Sequence, residues 1–204
     1  ETVDLAATES VRAEVADVTD PQACHRAVAC AVDGFGGLDI LGNVAGIVLM
    51  AHFAEMSVED YRRVMAVNVD GYVFMAQAAI PHLLASSGCI VNIASNAGLM
   101  GMAYNVAYAM SKGAVVQLTR SLAMEYVKTG LRVNAIAPAG VKTNLAKNVA
   151  FPDGIDIELI KPYLGFRGGA EAEEIAAVFA FVASDENRNM HGSIVSTDGG
   201  VTAS

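Results

Sequence analysis

Cys89-Ile90-Val91-Asn92-Ile93-Ala94-Ser95-Asn96-Ala97-Gly98, followed ten residues later by Tyr108-Ala109-Met110-Ser111-Lys112, decides how the chain is read. Cys89 to Ala94 is a short apolar run of the length of a buried strand. A helical stretch then runs from about Ala103 to Thr129 and stops at Gly130, a residue suited to the left-handed position after a helix. Leu131 to Ala137 is the next apolar strand, ending at Pro138. Strand, helix, strand in that order is the unit of a parallel sheet covered by helices.

The alternation continues outward on both sides. Upstream, Leu38 to Val44 is a compact apolar strand closed by Ala45-Gly46. Ser57-Val58-Glu59-Asp60 opens a long helix to about Ser86, with a bend expected near Pro81. Ser10 to Val18 alternates Val11, Ala13 and Val15 against Arg12 and Glu14 and ends in Asp17-Val18, the pattern of a half-buried strand. Thr19-Asp20-Pro21 then caps a helix through about Asp33, which Gly34 to Gly37 terminates. Downstream, residues 144–168 lose periodicity and contain Pro152, Gly154, Pro162 and Gly165, so they read as a loop with short helical pieces. Glu171 to Ser184 is a last helix, and Ser193 to Thr197 a last strand before Asp198-Gly199-Gly200. The expected fold is α/β, a doubly wound parallel sheet in three α/β/α layers, with residues 1–204 forming one domain.

Composition narrows the function. The chain has 204 residues, room for one such domain and not comfortably for two. Thirteen Lys and Arg against 22 Asp and Glu leave a net charge of −9, which argues against binding nucleic acid. With 53% hydrophobic and 17% charged residues the chain is not a disordered one. Each apolar run is broken before roughly 18 residues, so no transmembrane helix is expected. With no signal-peptide layout either, the expected location is cytoplasmic. Cys24, Cys30 and Cys89 are too scattered for a disulfide framework or a zinc site, and no metal is expected. His25, His52, His82 and His191 show no ligand spacing and read as surface or cap residues.

Tyr108 and Lys112, four apart on a helix, share one face. Alone that is a weak signal, since an idle exposed pair has the same spacing. Position strengthens it. Ser95 lies 13 residues before Tyr108, at the carboxyl end of a parallel strand, where open α/β sheets bind ligands. Asn68, between Val67 and Val69 inside the long helix, is poorly chosen for helix propensity. It reads either as a satisfied core amide or as a group holding a water near Lys112.

On these residues the chain resembles the short-chain dehydrogenase/reductase family, in its compact single-domain subgroup. The matching pieces are Asp17-Val18, Asn43-Val44-Ala45-Gly46, Asn68, Ser95, Tyr108-x-x-x-Lys112, Pro138 through Thr143, and Asp198-Gly199-Gly200. They follow the family's order and spacing over essentially all of the chain. The resemblance implies a Rossmann-like fold and hydride transfer between NAD or NADP and a small or medium alcohol or ketone. It assigns Tyr108 as acid/base and Ser95 as the hydrogen-bond partner of the substrate oxygen. Lys112 would bind the nicotinamide ribose and acidify Tyr108, and Asn68 would complete a proton relay through water. Asp17 and Val18 would contact the adenine, and Asn43, Ala45 and Gly46 would pass behind the cofactor. Val141 and Thr143 would meet the nicotinamide carboxamide, and Pro138 would also belong to the cofactor site. Residues 144–168 would close over the substrate, and the long helices, with Gln77 and Gln117, would join subunits into a homodimer or homotetramer. Met100, Met102, Tyr163, Leu164 and Phe166 flank the expected crevice and suit either a partly apolar substrate or ordinary packing.

Electrostatics makes those roles reasonable in size. A tyrosine ionises near pH ~10, so working near neutrality needs a shift worth roughly 4 kcal/mol. One cation at about 4 Å under an effective dielectric of about 20 supplies roughly that much. Desolvation of the phenol works against it.

The chain departs from the family pattern in two places. The usual Pro-Gly reads Pro138-Ala139, with the glycine displaced to Gly140. The Gly-rich phosphate turn after a first strand is missing, as is the residue that selects NAD or NADP. Gly34-Phe35-Gly36-Gly37 is no substitute, because it ends a helix and precedes a strand. Without two strands of the order 3-2-1-4-5-6, the Ser10 to Val18 segment would lack its neighbours, so roughly 40 residues are expected upstream of Glu1. That absence also supports a second reading, a non-catalytic nucleotide-binding or scaffold protein on the same fold. A serine hydrolase using Ser95 fails, because no Gly-x-Ser-x-Gly turn surrounds it.

Overall fold

A computed structural model describes residues 11–203. Four strands form one parallel sheet in chain order: β1 (Ile40–Asn43), β2 (Cys89–Ile93), β3 (Arg132–Pro138) and β4 (Ile194–Thr197). Asn43 pairs with Asn92 and Asn92 with Ala135, while Pro138 pairs with Thr197, so β3 and β4 run on past the carboxyl ends of β1 and β2. The helices are α1 (Pro21–Phe35), α2 (Val58–Met65), α3 (Gly71–Ser86), α4 (Val106–Glu125), α5 (Asn144–Lys147), α6 (Lys161–Leu164) and α7 (Ala172–Ala183).

The period of two along the strands sorts the core into two sides. Leu41, Ile90 and Val133 pack with α1, α3 and α4 around Val28, Ala79 and Leu83. Cys89, Val91 and Ile136 pack on the other side with Val182 and Ala183 of α7. β2 and β3 are covered on both faces, the condition that turns a strand into a near-continuous apolar run. Helix caps follow the sequence: Asp20 accepts from the Gln22 amide ahead of Pro21, and Gly36 closes α1 at φ 82°. At the far end Arg132, buried, donates to the carbonyls of Val182, Ala183, Ser184 and Asn187, so its charge rests on the carboxyl end of α7.

Three expectations need correction. Ser10 lies outside the described residues, and of Val11 to Val18 only Val11 makes a bridge. Residues 12–17 have no regular structure and Val15 is 92% exposed, because no ladder partner stands beside them among the described residues. The long helix is two helices, and its irregularity lies at Ala66–Asp70, a π-helical turn, whereas α3 continues through Pro81. Asn68 causes this: its side chain leaves the helix to bind Ile47, and the widened turn accommodates that reach. The helix expected from Ala103 begins at Val106, because Tyr104 sits in the left-handed region at φ 61°. The segment 144–168 is a loop carrying α5, α6 and a short turn, as its lost periodicity predicts. Among the described residues no helix is long and apolar enough to cross a membrane.

Candidate active site

The site forms where the carboxyl ends of β1, β2 and β3 meet the first turns of α4. Ser95 follows β2 and starts a short turn, Asn96–Gly98, its Oγ accepting from the Ala97 amide. The hydroxyl has two acceptors in reach, Asn96 Oδ1 at 3.2 Å and the Pro138 carbonyl at 3.4 Å. Gly98 lets this turn press on α4, since an added Cβ would stand 2.6 Å from the Lys112 carbonyl oxygen. That contact sets the distance between Ser95 and the Tyr108 face of the helix.

Lys112 is 3% exposed, and among the described residues no carboxylate pairs with it. Its ammonium donates to the Ile93 carbonyl at 2.7 Å and contacts the Tyr72 hydroxyl at 3.4 Å. Burial lowers its pKa to about 8, which leaves it mostly charged at pH 7. The charge lies 5.9 Å from the centre of the Tyr108 ring. Burial raises the Tyr108 phenol above its ordinary range, and the Ser95 hydroxyl pulls it part of the way back. Tyr108 is therefore held as a neutral acid, with desolvation the largest influence on it.

Asn68 is fully buried, with its carboxamide fully engaged. Oδ1 accepts from the Ile47 amide at 2.8 Å, while Nδ2 donates to the Ile47 carbonyl at 2.9 Å and to Ser111 Oγ at 3.0 Å. Ser111 in turn donates to the Tyr108 carbonyl at 2.7 Å. The side chain is a satisfied core amide that ties the segment after β1 to α4. Gly46 is held there: a Cβ on it would lie 3.5 Å from Asn68 Oδ1 and 3.7 Å from Lys112 Nζ.

The remaining predicted residues are spread over the segment before α1, the end of β1 and the segment after β3. Asn43 Nδ2 donates to Asn92 Oδ1 at 2.9 Å, joining β1 to β2, while Ala45 is exposed. Val18 packs on Gly71 at the start of α3, beyond the Asn68 turn. The Asp17 carboxylate accepts from the Thr19 amide and hydroxyl, which hold it below its usual range. Val141 bridges to Ala170, and the Thr143 amide donates to the Val141 carbonyl, fixing the segment after Pro138. Gly140 meets nothing within 4 Å of an added Cβ, so the displaced glycine answers no steric demand. A cleft of about 490 Å³ opens between Gly46 and Ile47 on one side and Asn144 and Leu145 on the other.

Sequence reasoning missed Tyr72, which donates to the Ile93 carbonyl at 3.0 Å beneath Lys112, and Ser111. Tyr72 stands four residues after Asn68, and Ser111 sits inside the Tyr-x-x-x-Lys motif, so spacing alone could have flagged both.

A parallel sheet with Ser95, Tyr108 and the buried Lys112 at its carboxyl edge is the arrangement that the resemblance to short-chain dehydrogenases/reductases implies. Comparison with known proteins agrees. Residues 1–202 match the family model described as Enoyl-(Acyl carrier protein) reductase. Meso-2,3-butanediol dehydrogenase of Serratia marcescens is 39% identical over 188 residues, covering 92% of this chain and 74% of that protein. 2-(R)-hydroxypropyl-CoM dehydrogenase of Xanthobacter autotrophicus is 36% identical, covering 95% of this chain and 77% of that protein. The solved structure of ElxO with NADP bound superposes with a TM-score of 0.82 at 30% identity, over 92% of this chain and 77% of the other. The chain belongs to the short-chain dehydrogenase/reductase family and is an NAD(P)-dependent oxidoreductase of alcohol or carbonyl substrates.

The residues present fit such a cofactor. An ammonium carries three N–H donors, and among the described residues Lys112 directs them at two neighbours, neither of them anionic. A ribose hydroxyl is the kind of acceptor that this buried cation lacks.

Proposed function

We propose that the chain interconverts a small or medium secondary alcohol and its ketone, with Tyr108 as the acid/base. The observation that carries the reading is the buried, carboxylate-free ammonium of Lys112 one helical turn beyond Tyr108, with Ser95 across from it. NAD or NADP, when bound, supplies or accepts the hydride. In ketone reduction the Tyr108 hydroxyl gives its proton to the carbonyl oxygen as negative charge develops there, and Ser95 Oγ donates a hydrogen bond to the same oxygen. To do so Ser95 releases its acceptors, Asn96 Oδ1 and the Pro138 carbonyl. Lys112 holds the ribose through its free N–H and stabilises the phenolate left behind, offsetting the desolvation that keeps the phenol neutral. In alcohol oxidation the same groups work in reverse, with Tyr108 as base. Asn68 fixes the Gly46-Ile47 segment against Lys112. With its side chain engaged, any part it takes in a proton relay falls to its main chain, in the π-helical turn where the regular ladder is relaxed.

The relatives' names, a butanediol dehydrogenase and a hydroxypropyl-CoM dehydrogenase, support a substrate with a secondary hydroxyl. By this reading Asp17, Val18, Asn43, Ala45, Gly46, Pro138, Val141 and Thr143 line the cofactor, and residues 144–168 cover the substrate. The working form is a cytoplasmic homodimer or homotetramer, to which the exposed Met110 and Met124 of α4 lend an apolar surface. Absorbance of reduced nicotinamide during incubation with a panel of secondary alcohols and ketones tests the reaction. Turnover with at least one pair is expected, and cofactor binding without turnover of any would establish the non-catalytic reading instead.

A further inference from the structure

Among the described residues three buried side-chain polar atoms have no hydrogen-bond partner: Asn96 Nδ2, Asn105 Oδ1 and Thr197 Oγ1. Orphaned buried groups are rare in folded proteins, and one beside an active site points to a partner that arrives with a ligand. Two of these atoms belong to residues close to the reacting groups along the chain: Asn96 follows Ser95, and Asn105 lies three residues before Tyr108. Asn96 is 4% exposed and accepts from Ser95 Oγ at 3.2 Å through Oδ1. Both amide atoms hang on one carbon, so Nδ2 lies no further than about 6 Å from Ser95 Oγ. Asn105, 6% exposed, precedes α4 one turn ahead of Tyr108, and its side chain makes no capping bond. The turn that begins at Asn96 packs directly on α4 through Gly98. One orphan is a donor and the other an acceptor, and they do not satisfy each other.

We propose that Asn96 and Asn105 form a subsite for a second oxygen of the substrate, on the carbon next to the reacting one. A hydroxyl there accepts from Asn96 Nδ2 and donates to Asn105 Oδ1, completing both amides at once. The substrates so selected are vicinal diols and the corresponding α-hydroxyketones. This inference rests on the proposed dehydrogenase reading and adds to it a discriminating contact.

The test compares kcat/KM for 3-hydroxybutan-2-one and butan-2-one, which share a carbon skeleton and differ in one hydroxyl. Wild-type protein should favour the hydroxyketone by about tenfold or more, since a site built to bind a hydroxyl rejects the analogue lacking it. In Asn96→Leu and Asn105→Leu that ratio should fall toward one, whatever happens to the absolute rates. The near-isosteric Asn96→Asp keeps an oxygen toward Ser95 while removing the donor, and should lower the ratio as well. A wild-type ratio near one, with both ketones reduced, leaves the dehydrogenase reading standing and overturns the subsite. A ratio that stays within about threefold across the variants overturns it too, and assigns the two amides to a buried water. Loss of both activities together in every Asn96 variant would make Asn96 a support for Ser95 alone. If no ketone is reduced with NADH or NADPH, the dehydrogenase reading itself falls, and the subsite with it.

Discussion

Lys112 sits where stability and chemistry pull in opposite directions. Its folded pKa of about 8 lies below its ordinary 10.5, so between those values the unfolded chain binds more protons than the folded one. Stability therefore rises as pH climbs through that window, and at pH 7 the buried ammonium costs up to a few kcal/mol. Lys112→Met should raise the Tm at pH 7 by a few degrees, because Tyr72 still satisfies the Ile93 carbonyl. The same change should remove cofactor affinity, measured by titration of protein fluorescence. A lower Tm would mean that the bond to Ile93 outweighs desolvation, and undiminished affinity would refute the ribose role. In the wild-type protein, affinity for NAD or NADP should decline as pH passes about 8 and the ammonium is lost.

At the scale of elements, two contacts hold the site's frame. Arg132 closes the carboxyl end of α7 by donating to four carbonyls, and Arg132→Leu leaves the buried carbonyls of Val182 and Ala183 without it. A loss of about 2–4 kcal/mol is expected in urea unfolding, and a loss under about 1 kcal/mol would show the cap to be ornamental. Gly98→Ala places a methyl against the Lys112 carbonyl, so α4 must shift away from Ser95. Its kcat should drop at least tenfold, with a smaller change in cofactor affinity; equal losses in both would place the damage elsewhere. These elements also show what a sequence can and cannot convey. β2, β3 and the start of α7 were legible because apolar runs and capping residues report local physics. The Ser10 to Val18 alternation misled because it records amphipathic character and not a pairing partner. The π turn at Asn68 and the left-handed Tyr104 were not legible, since each depends on contacts made across the fold, with Ile47 and with Ala51 and Asp156.

At the scale of the whole molecule, the sequence conveys the parallel α/β layout and the neighbourhood of three candidate side chains. Ser95, Tyr108 and Lys112 fall together because a helical period and a strand end bring them together, whereas Asn96 and Asn105 emerge only once burial and unmet hydrogen bonds are known. His191, read as a surface or cap residue, is half-buried and clamps α4 to β3, accepting from the Val133 amide and donating to the Ala123 carbonyl. The chain covers 74% and 77% of the two dehydrogenases named above. If the exposed methionines of α4 join subunits, light scattering should give a mass of two or four chains, and Met124→Asp should lower it. The most direct test of the account is Tyr108→Phe, which removes one oxygen from a buried ring and leaves Lys112 in place. Turnover should fall by about 10²–10⁴-fold while the Kd for NAD or NADP stays within about twofold. Turnover within a few-fold of wild type would contradict Tyr108 as the group that moves the proton.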